Sequence, residues 1–185
     1  MAIEIRNETD KSADLYLSGS IIDDDTGGMM EEWCDNQTGY QWPDKIKSQL
    51  EGLKGKALTI YINTDGGSVP AGVAMANMIA RHDAPTTAVV DGWCCSIATQ
   101  IFFAADRRQM PVNAYLMIHK PAVYAGGNAD DLRRSANVLD TIQRGLEISI
   151  HAPAWGATCL GRCRKPHYHH FNPRARVGRD PPGGY

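Results

Sequence analysis

The sequence predicts an α/β fold with a largely parallel sheet. Short apolar segments that are typical of strands alternate with longer segments of helical periodicity, and the connections between them are short. The composition is that of a globular protein, because 43% of the 185 residues are hydrophobic and 22% are charged. A chain of this length is long enough to form one domain whose core is stable without disulfides.

The first half of the chain contains two predicted strands with a predicted helix between them. Residues 13–22 alternate between apolar and polar side chains, as a half-buried strand does, and the acidic and glycine-rich residues 23–28 predict a loop. Apolar side chains spaced by four and three predict an amphipathic helix over residues 43–53. Residues 57–63 are rich in Leu, Ile and Tyr and predict the second strand.

The second half of the chain continues this alternation. Residues 69–82 predict a helix whose small side chains would let it lie close to the sheet. A short strand is predicted over residues 86–91, a buried apolar helix over residues 96–105 and a further strand over residues 114–119. The order of these elements favours crossover connections between parallel strands.

A long helix is predicted after these strands. Asn128 is a favourable N-cap, and Asp130 and Asp131 lie in the first turn, where the helix dipole favours negative charge. One apolar stripe then follows the helical period, and it consists of Leu132, Ala136, Leu139, Ile142 and Leu146.

Charge, hydropathy and cysteine content argue against several classes of protein. The formal net charge of −2 does not predict a nucleic-acid partner, and no apolar run approaches the ~20 residues that a membrane span requires. The polar N-terminal residues do not resemble a signal peptide, so a cytoplasmic location is expected. Five cysteines at irregular spacing are expected to be reduced thiols rather than a disulfide framework.

A pair of glycines, Gly66 and Gly67, separates a predicted strand from a predicted helix. Backbone N–H groups are unpaired at the start of a helix, and the helix dipole favours negative charge there. The functional interpretation is therefore a cradle for an oxyanion or a peptide backbone. The alternative is a tight turn that needs glycine only for its positive φ angles.

Ser96 and His119 are the candidate nucleophile and general base. A serine hydroxyl becomes an effective nucleophile when a base accepts its proton and N–H donors receive the developing oxyanion. Each residue also has a structural alternative, because serine is a common helix N-cap and a histidine at a strand end can belong to the core. Cys94 and Ala98 lie two residues on either side of Ser96, where the nucleophile elbow of α/β-hydrolases has glycines.

Three ordered segments resemble the Clp protease proteolytic subunit (ClpP) family. Residues 62–72 resemble its glycine-rich segment, residues 91–98 its nucleophile segment and residues 110–119 its histidine strand. The likeness is greatest to the Clp-like head maturation (prohead) proteases of tailed bacteriophages, whose next helix is similar to residues 128–140. The resemblance covers roughly residues 2–148. It implies a ClpP/crotonase-like fold of repeated β-β-α units with a largely parallel sheet.

The resemblance also implies roles for individual residues. Ser96 would be the nucleophile, and His119 would be the general base and then the acid for the leaving amine. Gly67 and Ile97 would supply the N–H groups of the oxyanion hole. Such donors are usually worth ~10²–10³ in rate each, so the glycine turn matters although it does no covalent chemistry.

A substrate is expected to bind beside the glycine turn. Strand addition to Gly66, Ser68 and Val69 would hold an extended peptide. The resemblance implies a serine endopeptidase that assembles into homo-oligomeric rings and cleaves capsid or scaffold proteins, in the host cytoplasm or the prohead, without a cofactor or metal. The sequence contains no Walker-type phosphate loop, so any ATP dependence would come from a separate unfoldase.

Cys94 and Cys95 offer a rival nucleophile, because a thiolate near the start of a helix can be activated. The family has small residues at these places. We therefore expect both cysteines to be small buried packing residues, and we keep Ser96 as the candidate nucleophile.

The acid that normally completes a serine–histidine pair is missing at the expected place. In the family it lies some fifty residues after the histidine, which corresponds to residues 165–170, and these contain no acid. Asp180 lies beyond them in a context unlike the family's motif. Asp130, Asp131 and Asp140 belong to the preceding helix, where capping and solvent-exposed roles are expected.

Residues 149–185 differ in composition from residues 1–148, the predicted ClpP-like serine protease domain. They contain six Lys and Arg but one acid, together with four of the six histidines and five of the ten prolines. They show no periodic apolar pattern, and we expect them to form a poorly ordered basic tail. A change of reading frame or a sequence error near residue 149 is one hypothesis for this shift.

The tail also contains residues that can ligate zinc. These residues are Cys159, Cys163, His167, His169 and His170. Their spacing lacks the two tight ligand clusters of structural zinc sites, so a zinc site is not favoured.

Two alternatives to an active protease stay open at this point. The chain can be a catalytically impaired or inactive subunit of the same fold that lacks the triad acid. It can also be a crotonase-type acyl-CoA enzyme, which uses a similar two-amide oxyanion hole. That alternative gives no reason for the order of Ser96 and His119, and no glutamate in the sequence is identifiable as its acid or base.

Overall fold

The computed structural model describes residues 3–33 and 39–151. The strands in this part of the chain are β1 (Ile3–Arg6), β2 (Ser12–Ser18), β3 (Ser20–Ile21), β4 (Tyr40–Gln41), β5 (Ala57–Thr64), β6 (Thr86–Cys95), β7 (Arg107–Gln109) and β8 (Tyr115–Met117). The helices are α1 (Asp24–Trp33), α2 (Pro43–Gly52), α3 (Val69–Ala80), α4 (Ala98–Ala104) and α5 (Ala129–His151).

Six of these strands form one sheet in the order β1-β2-β5-β6-β7, with β8 also paired to β6. β1 is antiparallel to β2, whereas the other pairings in this sheet are parallel. β3 and β4 form a separate parallel pair. The predicted α/β fold with a largely parallel sheet is therefore confirmed.

Alternating side chains of the central strands form the core, which α2, α3 and α4 cover. Fully buried aliphatic residues of this core include Leu15, Leu17, Ile46, Ile60, Ile62, Met75 and Ile101. Because β5, β6 and β8 run in the same direction, their carboxyl ends meet at one edge of the sheet. The residues that follow these three strands are consequently brought together.

The prediction of a loop over residues 23–28 was wrong, because α1 begins at Asp24. The Asp23 carboxylate accepts a hydrogen bond from the Thr26 N–H at 2.8 Å and so caps the helix. Gly27 lies so close to Trp42 that an added Cβ atom would come within 2.4 Å of the indole Cδ2. The two glycines disfavour a helix locally, and this tertiary contact overrides that preference.

Several element boundaries also differ from the predictions. Residues 13–22 form two strands because Gly19 interrupts them with a φ angle of 86°. β6 continues to Cys95 rather than ending at residue 91, since its second half pairs with β8. As a result α4 begins at Ala98 rather than at Ser96.

The predicted helices α2, α3 and α5 are confirmed. The Asn128 side chain accepts hydrogen bonds from the N–H groups of Asp130 and Asp131 at 2.9 and 3.0 Å, as predicted for the N-cap of α5. Within the described residues, no helix is both long and apolar enough to cross a membrane. The predicted tail beyond His151, including Asp180 and the candidate zinc ligands, lies outside the described residues.

Candidate active site

Ser96 lies in the tight turn between β6 and α4. Its φ angle is 55°, in the left-handed region that few residues other than glycine adopt. The backbone is held there because the Ser96 N–H donates to the Met117 carbonyl oxygen at 2.8 Å, which ties the turn to β8. The sheet therefore fixes an uncommon backbone conformation at the candidate nucleophile, as is frequent at functional sites.

His119 follows β8, two residues after the strand ends. β8 pairs in parallel with the end of β6, with Trp93 opposite Tyr115 and Cys95 opposite Met117. This register places His119 beside the Ser96 turn, and the distance from His119 Nε2 to Ser96 Oγ is 2.7 Å. When the imidazole carries its proton on Nδ1, Nε2 accepts the hydrogen bond from the serine hydroxyl, as a general base must.

The glycine turn after β5 leaves one N–H group unpaired among three successive ones. The Gly66 N–H donates to Thr64 Oγ1 at 3.0 Å, and the Ser68 N–H donates to the Ile21 carbonyl oxygen at 2.8 Å. The Gly67 N–H, between them, has no acceptor among the described residues, and Gly67 is exposed. Gly67 is thus a free donor at the edge where β5 and β6 end.

Both glycines are needed for this geometry. Their φ angles are 97° at Gly66 and 145° at Gly67. A Cβ atom on Gly66 would lie 2.7 Å from the Cys95 carbonyl oxygen and 2.8 Å from Ser96 Cβ, while one on Gly67 would lie 2.0 Å from the Ile21 carbonyl oxygen. Glycine at residue 66 therefore allows the turn to pack against the Ser96 turn, and glycine at residue 67 allows it to pack against Ile21.

Ile97 supplies a second free donor. Its N–H lies in the turn after Ser96 and has no acceptor within the described part of the chain. The Ile97 side chain is buried, and it fills the space beside Gly72 of α3. A candidate nucleophile, a candidate base and two free backbone donors therefore lie together at one edge of the sheet.

Comparison with known proteins shows the family of the chain. A sequence profile of the family described as Clp protease matches residues 36–154. The chain belongs to the Clp protease family.

Individual proteins similar to this chain are named as Clp protease subunits. The chain is 33% identical over 128 residues to ATP-dependent Clp protease proteolytic subunit 1 of Chlamydia muridarum, an alignment that covers 61% of this chain and 67% of that protein. Its counterpart from Chlamydia pneumoniae is 33% identical over 103 residues, with 53% and 54% covered. The chain thus spans about two thirds of the first relative and about half of the second.

A solved structure shows the same fold. ClpP1 from Listeria monocytogenes, in a mutant form, superposes with a TM-score of 0.56 at 23% identity, covering 74% of this chain and 69% of that one. At this level of identity the likeness concerns the fold alone. It confirms the predicted ClpP fold.

The predicted substrate-binding stretch is partly occupied by the chain itself. Ile21 of β3 donates its N–H to the Gly66 carbonyl oxygen and accepts the Ser68 N–H, both at 2.8 Å. The Gly66 carbonyl oxygen and the Ser68 N–H, both in the stretch predicted to bind substrate, are therefore already hydrogen-bonded to Ile21. Val69 lies next to this turn and lines a cavity of about 210 Å³ that also reaches Ser96.

Two residues beside the Clp protease motif were not singled out in the sequence. The Asn63 side-chain oxygen accepts the Trp93 N–H at 3.1 Å, where the register of β5 against β6 shifts. Thr64 is buried and accepts the Gly66 N–H. The signal was present, because these are polar residues at the end of an apolar strand directly before the glycine pair.

Cys94 and Cys95 are buried free thiols, as expected for packing residues. Burial raises the pKa of Cys94 to about 12, and burial is also the main cause that raises the pKa of Cys95. A thiol with a raised pKa is rarely a thiolate at neutral pH, so the rival nucleophile is disfavoured.

Within residues 3–33 and 39–151, no carboxylate is hydrogen-bonded to the His119 ring. Among the described residues, Ser96 is the hydrogen-bond partner of the His119 ring. Asp130 pairs with Arg133 at 2.8 Å, and Asp131 contacts Arg134 and accepts the Asn128 N–H. These aspartates therefore cap and stabilise α5, as expected.

The described ranges also hold no group of three or more His, Cys, Asp or Glu side chains that could bind a metal ion.

Proposed function

We propose that this chain is a serine endopeptidase in which Ser96 is the nucleophile and His119 the general base. The observation that carries this proposal is the 2.7 Å contact between Ser96 Oγ and His119 Nε2. The free N–H groups of Gly67 and Ile97 support it, since their turns adjoin Ser96. Membership of the Clp protease family supports the same reaction.

In the proposed reaction, Ser96 Oγ forms a bond to the carbonyl carbon of the peptide while His119 Nε2 takes the hydroxyl proton. The carbonyl oxygen becomes an oxyanion that accepts hydrogen bonds from the Gly67 and Ile97 N–H groups. The C–N bond then breaks, and His119 gives its proton to the leaving amine. Water releases the acyl group from Ser96 by the reverse sequence, with His119 again as the base.

The proposed substrates are capsid or scaffold proteins, as in head maturation proteases of tailed bacteriophages. The likeness of residues 128–140 to a helix of those enzymes supports this part of the proposal. The curated relatives are proteolytic subunits of ATP-dependent proteases, so a separate unfoldase is a proposed partner. The proposed setting is the bacterial host cytoplasm or the prohead.

We also propose that the chain assembles into a homo-oligomeric ring. Helix α5 supports this assembly because it exposes large apolar side chains, namely Leu132, Val138 and Ile148, of which Val138 is 57% and Ile148 69% exposed. Several large apolar side chains exposed on one helix favour burial of that helix in an interface between protein chains. Sedimentation should show a species larger than the monomer, and Val138→Arg should reduce it. Asp140→Arg serves as the control, because Asp140 is exposed and lies on the opposite side of the same helix from Val138.

An inactive or impaired subunit is the second candidate function. It is favoured by the absence of an acidic partner for His119 within the described residues. Loss of the triad acid can cost ~10⁴ in kcat without other damage. Such a subunit would fold and assemble but hydrolyse peptides slowly or not at all.

Peptide cleavage tests the proposed function. The wild-type chain should hydrolyse an unstructured protein such as casein, and Ser96→Ala should abolish the cleavage while retaining the same circular dichroism spectrum. The Ser96→Ala chain can then serve as a trap, whose bound proteins are identified by mass spectrometry. Folded wild-type protein that cleaves no substrate would favour the inactive subunit.

A further inference from the structure

We infer that Thr64 is a positioning residue for the oxyanion hole, an inference that rests on the proposed function. Thr64 is the last residue of β5 and is only 3% exposed. Its hydroxyl oxygen accepts the Gly66 N–H at 3.0 Å. Thr64 does not touch the reacting atoms, so its effect would pass through the glycine turn.

Three successive N–H groups explain why this contact matters. Gly66 is buried, and its N–H is directed inward to Thr64 Oγ1. The Ser68 N–H is bound by the Ile21 carbonyl oxygen. Because both outer N–H groups are directed to internal acceptors, the Gly67 N–H between them faces the exposed side as the free donor.

Removal of the Thr64 hydroxyl would leave the buried Gly66 N–H without an acceptor. A buried unpaired N–H is unfavourable, so the turn is expected to rotate toward another acceptor or toward water. Gly66 has little room for such a rotation on one side, since it packs against the Cys95 carbonyl oxygen and Ser96 Cβ. The rotation would therefore displace the Gly67 N–H from the position that faces the oxyanion.

The chain provides a matched control on the same turn. Asp65, between Thr64 and Gly66, accepts a hydrogen bond from the Ser20 hydroxyl at 3.2 Å. This contact also ties the turn to β3, but it involves no backbone N–H of the turn. Ser20→Ala therefore removes a side-chain hydrogen bond without freeing a turn amide.

The test compares kcat and KM for a fluorogenic peptide in wild type, Thr64→Val, Thr64→Ser and Ser20→Ala. Thr64→Val keeps the shape of the side chain but lacks the acceptor, and we expect it to lower kcat by about 10-fold or more with KM within about twofold. Thr64→Ser restores the acceptor and should recover most of the loss, and Ser20→Ala should behave as wild type. A similar loss in Thr64→Ser would overturn the inference, since packing rather than the hydroxyl would then be responsible, and so would an unchanged kcat in Thr64→Val.

Amide hydrogen exchange measured by NMR keeps this test separate from the proposed function. The Gly66 amide should be protected in wild type and Thr64→Ser and should lose protection in Thr64→Val, whether or not the chain cleaves peptides. An inactive wild type with this exchange pattern would contradict the proposed function but support the role of Thr64. Unchanged Gly66 exchange in Thr64→Val would overturn the positioning role even in an active protease.

Discussion

Gly72 of α3 lies directly against the Ile97 side chain, so that a Cβ atom at residue 72 would come within 2.4 Å of Ile97 Cγ1. Ile97 is 3% exposed and carries one of the two free N–H groups beside Ser96. The packing of two helical segments and the position of a candidate oxyanion donor are therefore coupled through this contact. A larger residue at position 72 must displace Ile97 or α3.

Gly72→Ala should lower the free energy of unfolding by about 1–3 kcal/mol, although alanine is the better helix former, because the added methyl group overpacks the core. Reaction of Ser96 should also slow, since the Ile97 N–H moves with its side chain. Urea unfolding and the rate of fluorophosphonate labelling measure the two effects.

A double-mutant cycle with Ile97→Ala isolates the contact. Ile97→Ala removes Cγ1 and Cγ2 and is destabilising by itself, by about 2–5 kcal/mol. In that background Gly72→Ala should be neutral or stabilising, because the clash is gone. Additive effects of the two substitutions would show that the contact between them is not the cause.

In helix α1, substitution of Gly27 or Gly28 by alanine should change the free energy of unfolding in opposite directions. Gly27 lies against Trp42, whereas nothing lies within 4 Å of a Cβ atom built on Gly28. Gly28→Ala should raise the free energy of unfolding by about 0.5–1 kcal/mol, because alanine is the better helix former. Gly27→Ala should lower it by about 1–3 kcal/mol through overpacking. Thermal unfolding of both variants checks this, and stabilisation by both would contradict the observed packing on Trp42.

The helix α1 is an element that the sequence failed to predict. The glycines and acidic residues of residues 23–28 predicted a loop. The helix that forms there packs through Gly27 against Trp42, which lies after the end of α1 in the sequence. Such tertiary contacts do not appear in a local pattern. The sheet and the helices α2, α3 and α5 were predictable because their apolar periodicity is strong.

The sequence predicted which residues form the candidate site, but it did not predict the backbone conformation and hydrogen bonds that hold them. Ser96 and His119 were named from motif spacing, and the parallel pairing of β6 with β8 explains why they meet. The left-handed φ angle of Ser96 and the role of Thr64 could not be read from the pattern, because both depend on hydrogen bonds between segments distant in the chain. The catalytic roles themselves stay a prediction.

Cys94 should be unreactive in the folded protein. Burial raises its pKa to about 12, so that at pH 8 its thiolate is a very small fraction of the total. Iodoacetamide should modify Cys94 at least ~100-fold more slowly in the native chain than in urea, as measured by mass spectrometry of tryptic peptides. Rapid native alkylation of Cys94 that also abolishes peptide cleavage would instead support the cysteine as nucleophile.

Asp83 should make stability depend on pH. Its carboxylate accepts the Gly55 N–H at 2.8 Å, and this hydrogen bond lowers the pKa of Asp83 below its ordinary value. A pKa that is lower in the folded state stabilises the fold above the ordinary carboxyl pKa of about 4, and this contribution disappears as the pH falls through the lowered value. Asp83→Asn should therefore lower the melting temperature at pH 7 and approach wild type as the pH falls below about 4.

Glu51→Gln provides the control for this pH dependence, because Glu51 is an exposed carboxylate on α2. The melting temperature of Glu51→Gln should differ less from that of wild type, because no N–H of the described residues donates to the Glu51 carboxylate as Gly55 does to Asp83. A difference for Asp83→Asn that stays constant from pH 7 to pH 3 would show that the charge of Asp83 does not act through the Gly55 N–H.

The rate at which a fluorophosphonate labels Ser96, with and without His119, tests the central claim most directly. The probe forms a stable bond to a serine only when its hydroxyl is activated, and tryptic mapping locates the label. We predict labelling at Ser96 in the wild-type chain and a rate at least ~100-fold lower in His119→Gln, because general base catalysis contributes about 10²–10⁴. Equal rates in the two folded proteins, or no label at Ser96 in the wild type, would contradict the assignment of Ser96 and His119 as a nucleophile and its base.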